Sequence, residues 1–178
     1  MRFREPKKKE SKVIESALRA FGSEEFLDEY KLLILESKGK KEVYSLSNDL
    51  YNFFKKADID PISAGLKLGE VGRRFRFTVE GTFFLVKKKK KRVYLSDKGE
   101  MLFLYGRDIF SGSVVKATDD IKENDVVFVC NKAGDILGIG RSRYEAIKLR
   151  SVEKDRVVVE NLVDRGQYLR KEKVYSSF

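Results

Sequence analysis

Apolar residues recur at helical spacing from Ser11 to Phe21, where Val13, Ala17, Leu18 and Phe21 share one face and Gly22 supplies a stop. The pattern then changes period. Tyr30 to Leu35 and Glu42 to Leu46 read as strands around Lys38-Gly39-Lys40, a β-hairpin. Ser47 is placed to cap a helix carrying Leu50, Tyr51, Phe53 and Phe54, and Asp60-Pro61 ends that stretch. Gly65 to Phe77 alternates and is punctuated by glycine, which predicts one strand with a bulge or bend. Thr78 is an N-cap candidate for a short helix presenting Val79, Phe83 and Leu85. Further on, strands are predicted at 92–95, 113–116, 125–130, 136–141 and 157–163, with short helices at 97–104 and 165–171. Many short strands separated by turn signals predict a small barrel.

Between the two patterns stands the run Lys87-Lys88-Lys89-Lys90-Lys91-Arg92. It marks a seam, so the expectation is two domains, residues 1–91 and 92–178, each with its own core. A lysine run cannot itself be buried unpaired. Charge follows the same seam. Residues 1–91 hold 22 basic and 14 acidic residues, against 16 and 14 in 92–178. The basic excess of the second half sits in 137–178, which carries 10 basic and 6 acidic residues.

The whole chain of 178 residues has a net charge of +10, which speaks of anionic partners and not of the fold. Its longest uncharged stretch, Ile109 to Val115, is far too short for a membrane span. The chain contains no histidine, the commonest general base and metal ligand. Cys130, the one cysteine, lies in Val126-Val127-Phe128-Val129-Cys130 and reads as a buried, inert thiol. No Walker-type loop and no zinc spacing occurs. The expectation is therefore no catalytic residue, no metal and no cofactor.

Several patterns have a functional and a plain reading. The lysine run could track phosphates, or serve as a solvated linker. Arg73-Arg74-Phe75-Arg76-Phe77 interleaves cations with aromatics, but in a strand Arg74 and Arg76 share one face and the phenylalanines the other. Those aromatics read as core. Gly138-Ile139-Gly140 is no dinucleotide fingerprint, since position 143 is arginine; glycines inside a strand here predict close backbone approach. The late cations remain. Arg141, Arg143, Lys148, Arg150, Arg156, Arg165, Arg170 and Lys171 bracket the last strands, as a phosphate-contacting groove would require. Ordinary surface charge paired with Glu145, Glu153, Asp155 and Glu160 is the alternative.

Phe103-Leu104-Tyr105-Gly106, Ile121 to Val129 and Leu137-Gly138-Ile139-Gly140 resemble a PUA domain, a small RNA-binding pseudo-barrel. Asp164-x-Gly166-x-Tyr168-Leu169-Arg170 is similar to the close of one PUA family. Pro61-Ile62-Ser63-Ala64-Gly65 with Gly69, then Phe75-Arg76-Phe77-Thr78-Val79, looks like its pre-PUA domain. That family is the two-domain large-subunit ribosome-biogenesis factor called nuclear import protein seven in eukaryotes, with archaeal counterparts. Ser111-Gly112 departs from the Pro-Gly of many PUA loops, and Glu160 interrupts the last strand where a basic stripe would stand.

The resemblance implies an α+β chain, with an α/β pre-PUA domain followed by a PUA-like mixed pseudo-β-barrel. It implies a non-enzymatic factor binding RNA, pre-ribosomal RNA in particular, through the basic PUA residues, alongside assembly or RNA-processing proteins. A monomer is expected, cytoplasmic in an archaeon and nucleolar in a eukaryote, with no membrane contact. Scarce Gln, Cys and Met beside abundant Lys and Glu point to the archaeal case. The competing expectation is a protein-interaction adaptor whose RNA binding is incidental.

Overall fold

The computed structural model describes residues 3–37, 39–57, 61, 63–85 and 89–171. Of the positions singled out above, Lys38, Asp60, Ile62, Lys87 and Lys88 lie outside the described residues. So do the side chains of Phe83, Leu85, Leu169 and Lys171. The chain divides into two compact units that part between residues 88 and 89.

The first unit runs β1 (Phe3–Arg4), α1 (Lys8–Ala20), α2 (Phe26–Glu29), β2 (Tyr30–Ser37), β3 (Lys40–Ser47), α3 (Asn48–Lys56), β4 (Leu66–Val71), β5 (Phe75–Phe77) and α4 (Val79–Leu85). Its strands form one antiparallel sheet in the order β1-β2-β3-β4-β5. Leu33, Ile34 and Leu35 are buried in succession, as are Val43 to Leu46, so both faces of the sheet are covered. Leu33, Leu35, Tyr44 and Leu46 pack with Phe3, Tyr51 and Phe54, the last two from α3. Ile34 and its cross-strand partner Val43 fall by parity on the opposite face. α1 contacts β4 and β5 and buries Ile14 and Leu18.

The ends of these helices follow their sequence. Gly22 adopts φ +66° and closes α1 in a Schellman pair, Ser23 N to Leu18 O and Gly22 N to Arg19 O, each 3.0 Å. Ser47 Oγ accepts from Leu50 N at 3.3 Å, and Thr78 Oγ1 from Gly81 N at 3.1 Å. α1 starts three residues before the expected Ser11 because Glu10 reaches back to Lys7 N at 2.8 Å. One expectation is corrected. Gly65 to Phe77 is not a single bent strand but the hairpin β4–β5, turned at Gly72, where Gly72 N donates to Arg74 O at 3.1 Å. Arg74 therefore lies in the turn and shares no strand face with Arg76.

Glu10 anchors the start of this unit. Its carboxylate accepts from Arg4 at 2.8 and 2.9 Å and from Lys7 N, and pairs with Lys41 at 3.0 Å. Arg4 above all holds it well below the usual carboxylate range, with Lys7 N and Lys41 adding to the pull and burial opposing it. A depressed folded-state value means stability that is present above the unfolded value and lost as pH falls towards the folded one. Glu10→Gln should therefore destabilise the chain by about 2 kcal/mol at pH 7, with the difference from wild type shrinking progressively as pH falls below about 4. Urea unfolding followed by circular dichroism at several pH values checks this. A constant difference at all pH would refute it.

The second unit runs β6 (Arg92–Leu95), α5 (Asp97–Leu104), β7 (Ile109–Phe110), β8 (Val114–Ala117), β9 (Val126–Cys130), β10 (Ile136–Ser142), β11 (Val157–Asp164) and α6 (Gln167–Lys171). Its sheet has the order β7-β11-β10-β9-β6-β8 and curls into a nearly closed barrel. β6 and β9 pair in parallel and the remaining pairs are antiparallel, the mixed sheet expected. The core holds Val93, Leu95, Phe103, Val127, Val129, Leu137, Val158 and Val159. Lys91 belongs to this fabric, with its ammonium 2.6 Å from Asp125 and its N–H on Asp120 at 3.0 Å. Lys89 and Lys90 are exposed. Cys130 is fully buried, and burial pushes its thiol up to about 11.

Candidate nucleic-acid interface

β10 and β11 form a long antiparallel ladder in which Arg141 lies opposite Glu160 and Gly138 opposite Asp164. The antiparallel course sorts the late cations into two sets. Arg141, Arg143, Lys148, Arg150 and Arg156 gather on the connection from the end of β10 to the start of β11. Arg165, Arg170 and Lys171 follow the end of β11, at the other end of the ladder. Five residues separate Glu160 from Arg165, about 17 Å along a strand. The structure therefore does not bring the eight positions into one cluster.

Three cations of the connection are spoken for. Arg143 reaches Glu160 at 3.1 and 3.2 Å, Lys148 reaches Glu145 at 3.1 Å, and Arg156 reaches Glu153 at 3.5 Å. These are exposed pairs, worth about 0–1 kcal/mol each. Arg141 and Arg150 are exposed and have no ion pair among the described residues.

The other end is built differently. Arg170 is a staple. Its guanidinium bonds Asp164 at 3.0 and 2.8 Å and also donates to the carbonyl of Leu104. Asp164 is only 3% exposed, and its bonding raises the guanidinium's hold on its proton. The turn after α5 is thereby clamped to the segment after β11. Gly106, at φ +84°, sits against the Arg170 guanidinium, and a Cβ there would stand 3.3 Å from it. Asn161 adds bonds to Phe103 O at 3.0 Å and to Asp108 through its backbone N–H at 2.8 Å.

This scaffold exposes two tyrosines and two arginines. Tyr105 is 68% and Tyr168 51% exposed, and Arg107 and Arg165 are exposed with no ion pair among the described residues. Aromatic faces beside cations on a rigid support offer base stacking together with phosphate contact. Arg165 belonged to the expected set. Tyr105, Arg107 and Tyr168 did not, although Tyr105 and Tyr168 stand inside the motifs that carry the PUA resemblance. Among the described residues, no group of three His, Cys, Asp or Glu could hold a metal ion, and no helix is long and apolar enough to cross a membrane.

A mixed barrel with this clamped turn, preceded by a five-stranded α/β unit, defines a pre-PUA plus PUA chain. Residues 3–80 match the NIP7/UPF0113 pre-PUA domain and residues 91–173 the UPF0113 PUA domain. The chain belongs to the NIP7/UPF0113 family. It is 54% identical to a UPF0113 protein of Archaeoglobus fulgidus over the full length of both. It is 32% identical to the 60S ribosome subunit biogenesis protein NIP7 of Saccharomyces cerevisiae, over 62% of each chain. A conserved PUA domain protein from Thermoplasma acidophilum shares the fold, with a TM-score of 0.67 at 17% identity over 94% of this chain and 96% of that one.

Proposed function

We propose that the chain is a non-enzymatic, RNA-binding factor in the assembly of the large ribosomal subunit, with pre-ribosomal RNA as its ligand. Membership of the family that includes a yeast 60S biogenesis protein carries this reading. The net charge of +10 supports a polyanionic partner. The sole cysteine, buried and with its thiol pushed up to about 11, makes a poor nucleophile. RNA lies on the second unit, at the end where Tyr105, Arg107, Arg165 and Tyr168 surround the Arg170 staple. There Arg107 and Arg165 have no ion pair among the described residues and the exposed Tyr105 and Tyr168 lie close to them in the chain, whereas three of the five cations at the connection end are paired.

Titration of the full chain against labelled large-subunit rRNA fragments from 50 to 500 mM salt tests the reading. The expected result is binding whose log affinity falls linearly with log salt. Binding that is absent, or indifferent to salt, would refute it. One observation favours the adaptor reading: Leu50 and Phe53, one turn apart on α3, are 37% and 58% exposed. Salt-indifferent capture of an assembly protein that Phe53→Ser abolishes would move the function there.

A further inference from the structure

The first unit, residues 1–88, holds 19 basic and 14 acidic residues, half of the chain's net charge of +10, and the RNA site proposed above uses none of it. Its fold concentrates that charge at one end. β2 and β3 are paired as far as Ser37↔Lys40, β3 and β4 through Glu42↔Glu70, and β4 and β5 through Val71↔Phe75. The β2–β3 turn and the β4–β5 turn therefore project from the same end of the sheet. Lys40 and Lys41 follow the first turn, and Arg73 and Arg74 form the second.

α1 begins at this end as well, since Glu10 is bonded to Lys41 on β3 and to Arg4 on β1. Its start carries Lys7, Lys8 and Lys9, all exposed. Cations at a helix N-terminus oppose the macrodipole, which favours carboxylates there by about 0.3–1 kcal/mol each. Three in succession break a local rule without any structural gain visible in the unit, as functional surfaces tend to do.

The acidic residues nearby do not cancel this charge. Glu10 is divided between Arg4 and Lys41, and Glu36 also contacts Arg4, at 3.2 Å. Glu70 is divided between Lys40 at 3.7 Å and Arg76 at 3.0 Å. Arg73 and Arg74 are left exposed with no ion pair among the described residues. We propose that this hairpin end, centred on Arg73 and Arg74 with Lys8 and Lys9, is a second RNA-backbone surface that holds phosphates without reading sequence. Phosphate is the fitting ligand because the cations are arginine forks and lysines with no exposed aromatic among them. Phe75 and Phe77 are half-buried and meet edge to face at 4.8 Å, which leaves no ring for a base.

The inference rests on the reading that RNA is the partner, and the test keeps the two apart. Full-length Arg73→Gln/Arg74→Gln is titrated against a single-stranded rRNA fragment across salt, beside wild type and an Arg107→Gln/Arg165→Gln variant of the second unit. Two lost phosphate contacts should flatten the log–log salt slope by about 1.4 and weaken binding at 0.1 M salt roughly 10- to 30-fold. Lys31→Gln removes a cation from an exposed position at the far end of the β2–β3 ladder, opposite Leu46, and should leave the slope unchanged. If the Arg73/Arg74 variant binds like wild type while the second-unit variant is weakened, the hairpin surface is refuted and RNA binding stands. If the control loses as much as the hairpin variant, diffuse charge explains the effect and the surface is refuted. If wild type binds no RNA, both readings fall. Capture of an acidic protein by the hairpin end, with RNA affinity unaffected, would also overturn it.

Discussion

Gly138→Ala is expected to destabilise the second unit by about 3 kcal/mol or more, although it adds a single methyl group. Gly138 lies in β10 opposite Asp164 of β11. An added Cβ would overlap the carbonyl oxygen of Val163. It would also stand 2.8 Å from Asp164 Cα and 2.8 Å from Phe103 Cε1. Two of these obstacles are backbone in a paired ladder, and Phe103 is 1% exposed, so none can swing aside. Relief would require β10 and β11 to part next to Asp164, which carries the Arg170 clamp. Gly134→Ala is the contrast. Nothing lies within 4 Å of its Cβ position, so only its φ of +98° is penalised, at about 1–2 kcal/mol. For a unit of this size, 3 kcal/mol corresponds to a fall of at least about 12 °C in the midpoint of thermal unfolding. A Gly138→Ala midpoint within a few degrees of wild type would show that the barrel is looser there than the geometry requires.

Much of the fold could be read because its signals are local. The caps Ser47 and Thr78, the Gly22 stop and the run Val126 to Cys130 each act within a few residues. Gly138 and Gly140, inside an apolar strand, announced close backbone approach, and the chain provides it. What could not be read depends on length or on direction. β1 and β7 have two residues each and α2 has four, too few to show a period. At Gly72 a hairpin and a bend have the same alternation, and only the pairing Val71↔Phe75 decides between them.

The separation of the late cations into two sets is hidden in the sequence for a similar reason. Arg141 and Arg165 look like members of one basic tail, yet β11 carries the chain from one end of the ladder to the other between them. Arg170 is indistinguishable by type from a phosphate ligand. Its partner Asp164 was visible six residues earlier, but that the pair clamps the α5 turn depends on Leu104, 66 residues away. Tyr105 and Tyr168 stand out in the sequence only as members of the PUA-like motifs, and their exposure depends on how the turn after α5 and helix α6 present them.

The two ends of the β10–β11 ladder should therefore differ in kind when RNA binding is measured. At the α5–α6 end, Arg107→Gln/Arg165→Gln should remove salt-dependent affinity, flattening the slope by about 1.4. Tyr105→Ala/Tyr168→Ala should leave that slope unchanged and lower the affinity by a factor that persists at high salt. A stacked base contributes about 1–3 kcal/mol without releasing counterions. The four substitutions together should weaken binding at 0.1 M salt by about three orders of magnitude, since one end then loses both contributions. Arg141→Gln/Arg143→Gln/Arg150→Gln/Arg156→Gln, on the connection, should do less despite removing more charge. Two of those four cations are already neutralised by Glu160 and Glu153, and freeing these carboxylates adds little repulsion in a solvated rim. The thermal midpoints of all variants should stay near wild type, because the Arg170–Asp164 clamp is untouched in each. If the connection variant loses affinity and the tyrosine variant keeps it at every salt concentration, RNA lies on the connection. The clamped turn would then be a structural device alone.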